Sequence, residues 1–110
     1  MNPMTLEEKR KLAWVGDAVL ALFARRWILQ QTNIPNKERA DVFQGITSNE
    51  FLSRFGEPTK IEYDIGNLFE SEGLDVANNY IETHLLPHFI KIQKQKKQPG
   101  RYNQKNFKKN

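Results

Sequence analysis

The stretch Leu12–Leu20, LAWVGDAVL, puts a glycine and an acid inside a long helical pattern. Leu12, Val15, Val19, Leu22 and Phe23 recur at helical spacing and mark an apolar face. Gly16 costs a helix interior about 1 kcal/mol relative to Ala, so it points to a packing contact or a site. Asp17 follows directly, beside the apolar stripe, where a carboxylate is costly unless it is paired or bound to a metal. An exposed Asp17 next to a glycine that merely admits another helix fits the spacing equally well. The arrangement recurs once. Glu62 follows Ile61 in a second apolar stripe, with Gly66 one turn on. If those two helices cross at their glycines, the acids converge.

The chain has 110 residues, enough for one domain and one core. It has no Cys, which excludes disulfides and thiolate metal sites. The longest apolar runs fall far short of the ~18 residues of a membrane span, and the N-terminus does not read as a signal peptide. A cytoplasmic protein with no membrane partner is expected.

The net charge of +4 hides an asymmetry. Residues 91–110 hold eight of the 17 basic residues and no acid: Lys91, Lys94, Lys96, Lys97, Arg101, Lys105, Lys108 and Lys109. The other 90 residues carry nine basic against 13 acidic side chains. A basic tail on an acidic body suggests a polyanion partner, most often nucleic acid, its Lys and Arg meeting phosphates. A solubilising, disordered end is the plain alternative.

Five helices are expected. Thr5-Leu6-Glu7-Glu8 forms a capping box for the first, running to about Gln30. Asn36 caps a second, Lys37 to about Gly45, and Ser48 or Asn49 starts a short third that Gly56 ends. Pro58 opens a fourth, about Thr59 to Ser71, which Gly73 ends. The last runs from Leu74 to about Lys97, with Pro87 kinking it. No strand alternation and no repeat is visible. The reading is an all-α domain over residues 1–97 and a disordered basic tail over 98–110.

Convergent carboxylates from Asp17 and Glu62 suit a hard cation such as Mg²⁺, which can activate water at a phosphodiester. Two acids 45 residues apart are also common in any helical protein. His84 and His88 stand at i,i+4, a metal-binding spacing, but Pro87 disturbs that turn and an exposed or packed pair is the simpler reading. Trp14 and Trp27 are core or interface aromatics.

Three blocks carry a family resemblance. LAWVGDAVL resembles the ribonuclease III signature, roughly ERLEFLGDAVL. ADVFQGITSNEFLSRFG, Ala40 to Gly56, resembles that family's SxLRAxLVSNExLAxLA, matching directly at Ser48-Asn49-Glu50. IEYDIGNLFESEGLDVANNYIETHLLPHF, Ile61 to Phe89, resembles its FEALIGALYLDGGLEAARxFIxxxLLPxL segment. Together they cover roughly residues 10–90.

The resemblance implies a compact, all-helical, homodimeric endonuclease domain. It would cut double-stranded or structured RNA in RNA processing, with Mg²⁺, or Mn²⁺ as substitute, held in an acidic site. Carried over by position, the catalytic and metal-binding acids are Asp17 and Glu62. Ala13 replaces the Glu of LEFLGD, and Thr59 replaces the Asp of DxxE. The chain is similar here to the Mini-III branch, which reads LAYIGDA, has Thr three residues before its Glu, and is active without a separate RNA-binding domain. The alternative is a catalytically degenerate domain that binds RNA or serves as a scaffold. Only Glu57 and Pro58 stand between Gly56 and Thr59, where the family carries an extra helix and loop that help engage RNA. Ser48 and Asn49 could support the site or the dimer, or simply cap a helix. Lys60 could meet phosphate or stay solvated.

Overall fold

The computed structural model describes residues 4–96. Lys97, Arg101, Lys105, Lys108 and Lys109, and the expectation of disorder over residues 98–110, lie outside the described residues.

Helix α1 spans Leu6–Gln30. Its capping box forms as the sequence requires. The Glu8 amide donates to Thr5 Oγ1 at 3.1 Å, and the Thr5 amide donates to Glu8 Oε1 at 2.9 Å. A short 3₁₀ turn, Asn36–Glu38, precedes α2, Arg39–Thr47. Asn36 is therefore not the cap of α2. Its Oδ1 accepts instead from the Arg39 guanidinium at 3.1 Å, and α2 starts two residues later than its pattern suggested. Helix α3, Asn49–Leu52, is capped by Ser48, whose hydroxyl accepts from the Phe51 amide at 3.0 Å. Helix α4, Pro58–Glu72, opens with Pro58 at its first turn and the Glu57 carboxylate as its cap.

The last helix is one rod in three parts: α5, Leu74–Tyr80, a π-helical turn, Ile81–Leu85, and α6, Leu86–Lys96. The sequence pattern predicts a kink at Pro87. The structure answers with the π turn immediately before it, where the Leu86 amide reaches back to the Ile81 carbonyl. Pro87 supplies no donor and crowds the turn before it, and a wider turn relieves that crowding. Five helical units result, with no strand among the described residues.

The core gathers Leu20, Ala24, Ile46, Leu52, Ile65, Ala77, Ile81 and Phe89. Helices α1 and α4 make the most extensive contact. The buried face of α1 follows the expected stripe in part. Val19 is buried and Val15 and Phe23 pack against the core, Ala13, Gly16, Leu20, Ala24 and Ile28 also turn inward, and Leu22 is 42% exposed. Where α4 comes nearest, the α1 residue is Gly16. No helix among the described residues is long and apolar enough to cross a membrane.

Candidate functional site

The crossing of α1 and α4 is set by two glycines. A Cβ built on Gly16 would overlap the Glu62 carbonyl oxygen and lie 2.8 Å from the Gly66 nitrogen. One built on Gly66 would overlap the Leu12 carbonyl oxygen and lie 2.9 Å from the Gly16 nitrogen. The helices therefore touch main chain to main chain. No side chain separates them, so the residues flanking each glycine are brought together.

Asp17 directly follows Gly16, and Glu62, one turn before Gly66, has its carbonyl against Gly16. Asp17 is exposed on α1 and Glu62 is half-buried on α4. The Glu62 carboxyl is pushed up to about 7 from an ordinary 4.5. Burial is the largest cause. A hydrogen bond shared with the Asp17 carboxyl comes next, then the negative charges of Asp17 and Glu57. The two acids that the sequence singled out therefore lie near enough for Asp17 to raise the Glu62 carboxyl, and the pair is open to solvent on the Asp17 side.

Glu57 is the participant that sequence reading missed. Its carboxylate accepts from the Thr59 amide at 3.2 Å and the Lys60 amide at 3.0 Å, capping α4 one turn before Glu62. An acid directly before a helix-opening Pro was the available signal, since an acid suits both the cap and the positive end of the helix dipole. Thr59 is exposed in that first turn. Ala13 is 5% exposed, packed on the inward face of α1. Among the described residues no third His, Asp or Glu joins the pair in a cluster sized to hold one ion.

The remaining candidates separate from the acids or take ordinary roles. Lys60 pairs with Asp64 at 2.7 Å, and that partner holds its ammonium above the usual range. Ser48 caps α3 and donates to the Gly45 carbonyl at 3.0 Å, while Asn49 is exposed at the start of α3. His84 lies in the π turn and His88 in the first turn of α6. The ring of His84 lies against Tyr80 at 4.9 Å between centroids, and that of His88 against Phe55 at 5.5 Å. Trp27 is half-buried edge-on to Phe89 at 6.2 Å, whereas Trp14 is 79% exposed. Lys91, Lys94 and Lys96 all lie exposed on α6.

No protein-family model, curated protein or solved structure matches the chain.

Proposed function

We propose that the protein is a minimal ribonuclease III-like endoribonuclease, a homodimer that hydrolyses phosphodiester bonds of double-stranded or structured RNA with Mg²⁺. The observation that carries this reading is the meeting of Asp17 and Glu62 across the Gly16–Gly66 crossing.

The donor set fits the ion. Two carboxylates offer hard oxygen ligands, and Mg²⁺ is commonly held by one or two carboxylates with the rest of its shell water. Burial first, and then the neighbouring Asp17 carboxyl, raise the Glu62 carboxyl, and a divalent cation would favour the charged form of both acids. Asp17 and Glu62 would hold the metal, with Mn²⁺ as substitute. When bound, it supplies Lewis acidity and charge neutralisation at the phosphodiester. Asp17, on the open side, presents its carboxylate to solvent and to an arriving backbone. Glu62, on the half-buried side, exchanges its proton in the neutral range. Lys91, Lys94 and Lys96 offer charge to phosphates, joined in the chain by Lys97, Arg101, Lys105, Lys108 and Lys109. A-form RNA is read by shape and backbone, so no base-reading motif is needed.

Self-association is supported by Trp14, which leaves most of its ring in solvent one turn before Asp17. A two-fold axis through that region would set two acidic sites on one face, one for each strand.

A second reading, a catalytically silent RNA-binding or scaffold module, is favoured by the lack, among the described residues, of a third acid clustered with Asp17 and Glu62. Ala13 and Thr59 leave the site two carboxylates short of the fuller family pattern.

The test is cleavage of long double-stranded RNA by the purified protein with Mg²⁺, with EDTA, and by Asp17→Asn and Glu62→Gln. Mg²⁺-dependent cutting abolished by each substitution supports the enzyme. Salt-sensitive RNA binding without cutting at any metal concentration supports the silent module.

A further inference from the structure

A second surface, on the C-terminal half of α1, has a chemistry of its own. Arg25, Ile28, Leu29, Arg39, Ala40 and Phe43 line a cavity of ≈ 360 Å³ between α1 and α2. The lining holds two arginines and no acid. Among the described residues the ion pairs are Lys11–Glu7 and Lys60–Asp64, so neither arginine has a carboxylate partner. The Arg39 guanidinium donates to the Asn36 side chain, and Arg25 lies over the Phe43 ring at 4.3 Å. Leu29 is 63% exposed.

We propose that this cavity docks an acidic peptide segment that inserts an aliphatic side chain beside a carboxylate. Charge complementarity supplies the argument. Two guanidiniums without carboxylates flank an aliphatic floor, so a partner must bring both negative charge and apolar surface to satisfy it. Leu29 and Ala40 remove the aliphatic side chain from water, while Arg25 and Arg39 face the acids on either side of it. RNA fits less well. A duplex backbone would meet the arginines but bring nothing apolar to Ile28, Leu29 and Ala40, and a single strand would find the one aromatic face already covered by the Arg25 guanidinium, with no platform for a base to stack on. This docking is independent of the Asp17–Glu62 reading.

Fluorescence anisotropy with a labelled peptide alternating Leu with Asp and Glu tests it. Two control peptides replace the acids by Gln or the Leu residues by Ser, and a single-stranded oligouridylate serves as the nucleic-acid arm. Saturable binding is expected of the acidic Leu peptide alone. It should weaken about tenfold or more in each of Arg25→Glu, Arg39→Glu and Leu29→Gln, as for loss of an interface anchor. All three positions are exposed, so the substitutions leave the core intact. Equal binding by the variants, or by the Ser-containing control, overturns the proposal. Tighter oligouridylate binding lost in the same variants overturns it in favour of a nucleic-acid surface. Wild-type self-association in sedimentation that is lost in these variants overturns it in favour of a second copy on this face.

Discussion

Gly16 and Gly66 oppose each other so closely that neither position has room for a methyl group. The atoms in the way are backbone carbonyls and amides, which cannot swing aside as a flexible side chain would. Gly16→Ala and Gly66→Ala should each cost about 3 kcal/mol or more, despite the better helix propensity of Ala. Urea unfolding monitored by circular dichroism checks this. Because both substitutions strain one contact, the double variant should lose less than the sum of the two.

Glu62 should make stability depend on pH. Its folded value of about 7 lies above the free value of 4.5. Below the free value the carboxyl is protonated in both states and folding carries no penalty. As pH rises toward about 7 the unfolded chain releases the proton while the folded chain retains it, so stability falls. At this half-exposed site, solvent screening leaves about 1–2 kcal/mol of the effect. Glu62→Gln should therefore match the wild type near pH ~4 and exceed it near pH ~8. Urea midpoints at the two pH values measure the difference, and Mg²⁺ should narrow it at the higher one.

Trp14 contributes little to the fold of one protomer because it is 79% exposed. Trp14→Ala should change monomer stability by no more than about 0.5 kcal/mol. It should also reduce self-association, read by light scattering across a concentration series. In the wild type, dilution should shift the Trp14 emission to longer wavelength, while Trp27, packed edge-on to Phe89, stays constant.

Asn78 has a buried side-chain oxygen with no hydrogen-bond partner among the described residues. Replacing an unsatisfied acceptor inside a helix with a good helix former should be neutral or stabilising. Asn78→Ala should raise stability by up to about 1 kcal/mol, visible as a higher melting temperature.

Local chemistry made the helix starts legible. Thr5 with Glu8, Ser48, and Pro58 each carry a cap or first-turn signal that acts within a few residues, and each starts a helix where expected. The inward face of α1 was less legible. Apolar size pointed to Leu22, which is exposed, while Ala13, Gly16 and Ala24 face inward; at Gly16 the reason is the main chain of α4 lying against it, which the residue's own hydrophobicity does not announce. The pairing of Asp17 with Glu62 was readable from two glycines in matching contexts. The part played by Glu57 was not, because it depends on how close the α4 cap comes to the site in three dimensions. The π turn was half readable: Pro87 announced a disturbance without specifying its form.

That turn has a consequence for the length of the last helix. Ala77, Ile81, Leu85 and Phe89 are all buried, spaced by four residues each time. A regular α-helix over-rotates by about 40° at every such step, which would swing Phe89 away from the side that Ala77 occupies. The wide turn absorbs that rotation by looping out the equivalent of one residue. The rod thus behaves as an ordinary helix with a single insertion. Deleting the exposed Thr83 would give a row spaced four, three, four, which a plain α-helix keeps on one side. The chain accommodates a surplus residue here without disturbing the contacts on either flank.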